Sequence, residues 1–254
     1  MAEPTFRRAA GVVAALATVP LLALVVRAFA DEWRAPALIP QRFGLRGVEI
    51  AFSGASATAF ANSLVVAVAT ATLALVVAWP AARVLGERRL RHPALVFLAL
   101  TMPLLVPGYA VGTGLTEWFI RLDLDGTLPA LVAGHLTFVL PYVVLVLLSG
   151  FGPRLTALEE VARSSGLSPS RRLLWVTLPA AAPTVAAAAL IGFLVSWSDY
   201  GTSLAVGGGR PMLPVVLLPF VGADPQVAAT LALLFLAPAI AVLAVAVRAG
   251  RMPL

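Results

Sequence analysis

The chain has 254 residues, of which 60% are hydrophobic and 12% are charged, and its mean hydropathy is +0.96. Soluble domains average roughly 45–50% apolar and about 25% charged residues. This composition excludes an ordinary soluble domain and a disordered chain, and it predicts a membrane protein. The net charge is +6, and all 18 basic residues are Arg. Because they punctuate apolar runs instead of forming one basic face, they indicate membrane topology and not a nucleic-acid partner.

Two missing residue types exclude several chemistries. Without Lys, the sequence has neither a Walker A lysine nor a Schiff-base lysine. Without Cys, it has no disulfide, thiolate nucleophile or iron–sulfur ligand. Its two histidines, His92 and His135, do not have the spacing of a metal site. We therefore expect no catalytic residue, no metal and no bound cofactor in this chain.

Six apolar runs are long enough to cross a bilayer, which takes about 20 residues per helix. In chain order they are Ala9–Val26, Thr58–Ala82, Pro93–Leu115, Pro129–Gly150, Ala180–Trp197 and Val227–Val247. A shorter run, Leu213–Val221, lies in a stretch of about 201–225 that we expect to be an outer interfacial or re-entrant segment. The chain is thus predicted to be an all-α membrane protein forming one transmembrane domain over residues 1–254.

Proline positions predict bends inside these helices. Pro103 and Pro107 lie in the third run and Pro141 in the fourth, and each is expected to kink its helix. Gly207-Gly208-Gly209 has neither the Lys nor the helix of a phosphate loop, so we expect an outer turn there.

The distribution of Arg predicts the orientation of the chain. With the N-terminus inside, twelve of the 18 Arg residues fall on the cytoplasmic side and six on the outer side. The positive-inside rule then favours both termini in the cytoplasm, an outer loop at about 28–57 and a cytoplasmic loop at about 151–179. A cleaved signal peptide is the alternative for the first run, since Ala28-Phe29-Ala30 follows it. We favour a retained helix, because a run of 18 residues is long for a signal sequence.

The cytoplasmic loop has a recognisable internal order. Leu155, Leu158, Ala162 and Ser165 recur at helical spacing and predict a short helix with an apolar stripe. Gly166 follows at the C′ position, where a left-handed backbone ends a helix. The exposed face of the loop is expected to carry Glu159, Arg163, Arg171 and Arg172.

A second short helix is predicted after the glycine turn. Ser168-Pro169 is typical of a helix start, the helix would end near Thr177, and Pro179 would open the fifth span. Such a loop is either a connector lying at the lipid headgroups or a compact knob that fits a groove in a soluble partner.

Three features of this loop resemble the EAA loop of binding-protein-dependent ABC importer permeases. They are Glu160-Val161-Ala162, Gly166 six residues after the glutamate, and Val176-Thr177-Leu178-Pro179. Val161 departs from the alanine that is usual in the family. Three further segments resemble permeases of this family, namely Phe60–Leu64, Pro103–Gly108 and His135–Tyr142, and Ser198–Gly201 is similar to the members that transport polyamines, iron and thiamine.

The resemblance implies a MetI-like fold in the bacterial inner membrane and a role without enzymatic activity. It implies a second permease subunit, a cytoplasmic ATPase dimer that binds ATP and Mg, and an extracytoplasmic solute-binding protein. A single EAA loop implies a half-transporter. The residues it assigns to ATPase coupling are Glu159, Glu160, Ala162, Gly166, Leu178 and Pro179.

Each coupling residue has an implied role. Glu160 would meet a basic group or backbone donor of the ATPase, and Ala162 would face the ATPase closely. Gly166 would set the angle between the two helices of the loop, and Leu178-Pro179 would fix the loop to the fifth span.

Four polar or aromatic residues near the outer side are candidates for the translocation path: Asn62, Trp197, Asp199 and Tyr200. Asp199 either lines the path, as intramembrane charges often do, or is a solvated interface residue beside Trp197 and Tyr200. Asn62 and His135 are expected to make hydrogen bonds between helices rather than to touch the solute.

The predicted function is that of an ABC importer permease for a small polar or cationic solute, such as a polyamine, iron or thiamine. The alternative is a proton-coupled secondary carrier, for which only Asp199 and His135 are candidate proton carriers.

Overall fold

The computed structural model describes residues 3–87 and 91–249. Arg88, Arg89 and Arg251, which the orientation prediction counts, lie outside these ranges. The helices are α1 (Glu3–Ala28), α2 (Arg46–Ala51), α3 (Gly54–Gly86), α4 (Pro93–Thr101), α5 (Gly108–Arg121), α6 (Leu128–Leu148), α7 (Pro153–Ser164), α8 (Pro169–Arg172), α9 (Leu178–Trp197), α10 (Gly201–Val206), α11 (Leu213–Ala223) and α12 (Pro225–Ala249).

The membrane helices follow the apolar runs in most of the chain. Among the described residues, four helices are long and apolar enough to span a membrane: Gly54–Gly86, Leu128–Leu148, Pro169–Trp197 and Pro225–Val242. They confirm four of the six predicted runs as helices. Helix α1 (Glu3–Ala28) includes the whole of the first run, Ala9–Val26. The count of six spans and the orientation of the termini stay predictions.

The third predicted span, Pro93–Leu115, is interrupted at the two prolines where the sequence predicts kinks, Pro103 and Pro107, and the interruption is larger than a kink. Helix α4 ends at Thr101, a 3₁₀ turn covers Met102–Leu105, and α5 starts at Gly108 after a bend of 99°. Val106 is extended because the ring of a following proline disfavours helical backbone. Two prolines four residues apart therefore break the helix, whereas α6 continues through Pro141.

The outer loop predicted at 28–57 contains short regular elements. Strand β1 (Ala30–Glu32) pairs antiparallel with β2 (Arg42–Phe43), so the described chain is helical apart from one small sheet. Helix α11 covers the short run Leu213–Val221, and the turn predicted at Gly207–Gly209 is confirmed, with φ of 52° at Gly208 and 84° at Gly209.

The chain divides into two compact units, and one of them contains residues Ala61–Met212. Its core joins α3, α6 and α9 and extends into the start of the loop after α6. The buried residues are Ala74, Ala78, Ala82, Val139, Val143, Val144, Leu147, Phe151, Leu155 and Ala188. Small residues spaced by about one turn on α3 allow close helix approach, which drives association in lipid. The Trp79 and Phe151 rings meet edge-to-face at 4.9 Å.

The other unit contains Met1–Phe60 and Leu213–Pro238. Polar contacts tie its outer loop to the start of α12. Gln226 donates to Asp31 at 2.7 Å, Thr230 donates to the Ala28 carbonyl at 3.2 Å, and Arg46 forms a 2.7 Å ion pair with Asp224. The hydrogen bond from Arg46 holds the pKa of the Asp224 carboxyl below its usual value.

The Arg46–Asp224 pair predicts a pH dependence of stability. Because the folded-state pKa of Asp224 is lowered, the pair stabilises fully above the ordinary carboxyl pKa of about 4 and is lost as the pH falls through the lowered value. Asp224→Asn should lower the free energy of unfolding at pH 7 by about 0.5–1 kcal/mol, the range of a solvent-accessible pair. Thermal unfolding of the full chain in detergent should show this difference shrinking below about pH 4.

Glu49→Gln is the matched control, because Glu49 lies on the same helix as Arg46 and is exposed. Glu49→Gln should unfold like the wild type both at pH 7 and at about pH 3. A difference for Asp224→Asn that stays constant from pH 7 to pH 3 would contradict the assignment.

Candidate functional site

The turn of the EAA-like loop is built as its sequence predicts. Gly166 has φ of 81° and stands at the C′ position after α7. Its N–H bonds the Arg163 carbonyl at 3.0 Å, and the Leu167 N–H bonds the Ala162 carbonyl at 3.1 Å. These two bonds form a Schellman motif. A side chain at Gly166 would meet no atom within 4 Å, so the backbone angle and not the available space requires glycine.

Helix α7 buries a different face from the one predicted. Its buried residues are Leu155, Glu159 and Ala162, which lie one helical turn apart, whereas Leu158 is 44% exposed. The expectation that Glu159 lies on the exposed face is therefore wrong. Ala162 is 7% exposed, so its side chain packs within this chain, contrary to the expectation that it faces the ATPase.

Glu159 is buried because three segments converge on its carboxylate. One oxygen pairs with the Arg83 guanidinium at the end of α3, and the other accepts a hydrogen bond from the Thr177 hydroxyl. Arg83 also pairs with Glu87 at 2.9 Å. We call Arg83, Glu159 and Thr177 the carboxylate clamp. Since a buried carboxylate requires partners, the clamp fixes α7 to α3 and to the segment that leads into α9.

The second helix of the loop does not end where the sequence predicts. Helix α8 continues through a π-helical turn, Leu173–Thr177, directly into α9. Pro179 therefore lies inside a continuous helix. Proline lacks an N–H and so interrupts the helical hydrogen-bond pattern. The wider turn just before Pro179 accommodates this interruption, because the Leu178 N–H bonds the Leu173 carbonyl five residues earlier. Thr177 is buried, whereas Leu178 and Pro179 are exposed.

The outward face of α7 presents Glu160 and Val161. The Glu160 side chain is 68% exposed and has an ion pair of 3.5 Å with Arg163, and Val161 is 65% exposed. Glu160 also lines a cleft of about 880 Å³ that runs between the start of α7 and the end of α3. Val161, the position that departs from the family motif, thus contributes an apolar surface beside the exposed carboxylate.

A second polar cluster lies near the other end of α9. The His135 ring on α6 is buried, with Nδ1 at 2.8 Å from the Ser196 hydroxyl and Nε2 at 3.0 Å from the Ser203 hydroxyl. The predicted hydrogen bond between helices at His135 is confirmed. Asp199 stands between Ser196 and Ser203 in sequence and lines a cleft beside the broken segment α4–α5.

The other translocation candidates occupy separate places. Asn62 on α3 donates to the Pro211 carbonyl at 2.9 Å, a structural contact of the predicted kind. Trp197 is 2% exposed and stacks on Phe193 with ring centroids 5.8 Å apart. Tyr200 is 37% exposed and precedes α10. Of the four candidates, Asp199 alone lines the cleft beside α4–α5 in the described chain.

Sequence reasoning missed Arg83, Thr177, Ser196 and Ser203. Arg83 and Glu159 lie 76 positions apart, and no spacing rule links them. The available signal was a carboxylate next to apolar positions on a short helix, since such a group must find a cation or donors if it is buried.

Comparisons of the sequence give a consistent set of relatives, although no family model matches the chain. A Streptomyces antibioticus protein named as an ABC transporter permease is 34% identical over 73% of this chain and 82% of its own length. A Salmonella typhimurium protein named as the 2-aminoethylphosphonate transport permease PhnV is 26% identical over 85% and 83%. The molybdate/tungstate permease WtpB of Pyrococcus abyssi is 31% identical over 58% and 59%.

The fold has a counterpart among solved structures. A chain of a bacterial ABC transporter involved in the import of the acidic polysaccharide alginate superposes with a TM-score of 0.75. The match covers 97% of this chain and 95% of that chain at 17% sequence identity. At this identity the likeness concerns the fold alone.

The carboxylate clamp predicts energetic coupling between Arg83 and Glu159. Glu159→Gln should lower the free energy of unfolding by about 1–3 kcal/mol, because it removes a charge-assisted bond and leaves Arg83 with Glu87 alone. A double-mutant cycle with Arg83→Gln, measured by thermal unfolding in detergent, should give a coupling energy of about 1–2 kcal/mol. Glu160→Gln, an exposed neighbour, should stay within about 0.5 kcal/mol of wild type. Additive effects of the two clamp substitutions would contradict the assignment.

Proposed function

We propose that this chain, which belongs to the ABC importer permease family, forms the solute pathway of its importer and couples it to a separate ATPase through α7. It is a multi-pass inner membrane transport subunit. Under this proposal ATP and Mg bind to the ATPase chains, and this chain binds no cofactor. An extracytoplasmic binding protein delivers the solute, and a second permease subunit completes the pathway.

The observation that carries the proposal is the contrast between the two faces of α7. The face with Glu160 and Val161 is exposed and offers a carboxylate beside an apolar contact. The opposite face holds Leu155, Glu159 and Ala162, which fasten α7 to the rest of its unit. A helix fastened on one side and exposed on the other suits the groove of a soluble partner.

The carboxylate clamp makes this arrangement mechanically useful. When ATP brings the ATPase subunits together, a docked α7 moves with them. Because Glu159 joins α7 to Arg83 of α3 and to Thr177 before α9, the displacement passes into two membrane helices. Coupling of this kind needs two discrete arrangements and a difference in contact energy between them.

We infer that the solute is small and polar or cationic, with a polyamine, iron or thiamine-like compound as the working assignment. The relatives are named for solutes of different charge, including 2-aminoethylphosphonate and molybdate or tungstate. Support for a cationic group comes from Asp199, which lines the intramembrane cleft together with neutral and apolar residues and His135.

Charge reversal on the outward face of α7 tests the proposal. In proteoliposomes containing this chain, its ATPase and its binding protein, Glu160→Arg should lower ATP-driven uptake at least about tenfold, since losing one partner of an interfacial charge pair costs about 2–5 kcal/mol. Uptake is measured with labelled putrescine, thiamine and ferric citrate, and with 2-aminoethylphosphonate and molybdate.

Glu117→Arg is the matched control. Glu117 is 70% exposed and pairs with Arg121 on α5, so its reversal introduces the same local repulsion on the side predicted to face outward. It should leave uptake within about twofold of wild type, because an exposed intrahelical pair contributes little. Normal uptake by Glu160→Arg would contradict coupling through α7. Uptake that survives without the ATPase and collapses with a protonophore would instead indicate the secondary carrier.

A further inference from the structure

A cleft of about 270 Å³ lies where the broken segment α4–α5 meets α6 and α9. Leu104, Val106 and Gly108 line it from the broken segment, and His135, Tyr142, Ser196 and Asp199 contribute its polar wall. Irregular backbone at membrane depth occurs where it lines a cavity or is covered by protein. The polar groups of this wall determine what kind of molecule the cleft fits.

The hydrogen bonds of the wall fix the role of the His135 ring. The Ser203 hydroxyl donates its single hydrogen to the Asp199 carbonyl at 2.6 Å, so its oxygen must accept from His135 Nε2 at 3.0 Å. Asp199 Oδ2 lies 3.6 Å from His135 Nε2, which is within ion-pair range but beyond hydrogen-bond length. His135 Nδ1 lies 2.8 Å from the Ser196 hydroxyl oxygen.

This arrangement leaves the Asp199 carboxylate short of hydrogen-bond donors. Asp199 Oδ1 accepts the Thr202 N–H at 3.1 Å, which caps the start of α10. Asp199 Oδ2 is buried and receives no hydrogen bond from any residue of the described chain. Whichever of the two groups donates, the Ser196 oxygen keeps at least one lone pair that His135 does not use. A buried carboxylate oxygen without a donor is costly, so its presence beside a cleft is informative.

The cap on α10 alone does not explain why residue 199 carries a charge. The cap requires one carboxylate oxygen, and asparagine or serine would provide it without a charge. Gly108 lies next to the Asp199 carboxylate. A Cβ atom at Gly108 would be 3.6 Å from Asp199 Oδ1 and 3.4 Å from Thr202 Oγ1. The Thr202 oxygen is also buried and unpaired within the described chain. Polar groups without partners in the described chain therefore concentrate at one place, next to a residue that has no side chain.

We propose that this cleft is a binding site for a primary ammonium group, which the Asp199 carboxylate holds with the Ser196 oxygen as second acceptor. An ammonium group supplies the missing donors and the positive charge that balances Asp199. His135 acts as a positioning residue, since its bonds to Ser196 and Ser203 orient the hydroxyls on either side of Asp199. The site deepens the proposed function and rests on it for its role, because it places an amine-bearing solute inside the transport pathway.

Binding of simple ions to the full chain tests the site without ATPase or binding protein. In lipid nanodiscs at constant ionic strength, ethylammonium should raise the unfolding temperature saturably. Ethanol, which lacks the charge, and tetramethylammonium, which lacks N–H donors, should need at least about tenfold higher concentrations for the same rise. Equal effects of ethylammonium and tetramethylammonium would overturn the proposal.

Variants locate the binding. Asp199→Asn keeps the shape and the cap to Thr202 but removes the charge, so it should weaken ethylammonium binding at least about tenfold. Glu117→Gln removes an exposed acid elsewhere and should change nothing. If Asp199→Asn does not fold, Leu104→Trp fills the cleft from the broken segment and should abolish binding. If Asp199→Asn or Leu104→Trp folds and still binds ethylammonium as the wild type does, the proposed site is wrong.

Failure of the binding site can be distinguished from failure of the proposed function. If ethylammonium binding depends on Asp199 but the reconstituted importer takes up no tested solute, the proposed function fails and the binding site stands. If uptake is normal and binding is the same in Asp199→Asn, the site fails and the proposed function stands.

Discussion

One carboxylate organises the part of the molecule that we assign to coupling. Glu159 lies on the buried face of α7, where it joins the guanidinium of Arg83 and the hydroxyl of Thr177. Removing a charged group from water is costly unless its partners are in place, so α7 has one preferred position against α3 and the start of α9. The exposed Glu160 and Val161 are therefore presented on a fastened support and not on a loose loop.

The clamp continues into a well-packed core. Phe151 and Leu155, just before and within α7, join Val143 and Leu147 of α6 in one buried cluster with the alanines of α3. Protein interiors are close-packed and deform little, so a displacement of α7 is carried by several helices together. The cleft with His135 and Asp199 is formed by α6 and α9 of the same unit and by the broken segment. The proposed binding cleft and the helix that we assign to coupling are thus connected through continuous packing.

The sequence predicted the features that depend on local chemistry. Long apolar runs predicted α3, α6, α9 and α12, and Gly166 predicted the turn after α7. Both signals depend only on a few neighbouring residues. Tertiary contacts decided what was missed. Glu159 is buried because Arg83 reaches it from a distant helix, and Pro179 continues a helix because a π turn precedes it. The break between α4 and α5 exceeds a kink because two prolines act on adjacent turns.

We infer that α7 and the end of α3 that carries Arg83 move as one body. The chain contains no Cys, so spin labels can be placed at Val84→Cys and Ser164→Cys alone. Pulsed electron paramagnetic resonance on the assembled importer measures the distance between the two spin labels with and without ATP. We expect one narrow distance distribution that ATP does not shift, and a broader one when Glu159→Gln is added. A shift of several ångströms on ATP binding in the otherwise unaltered chain would contradict it.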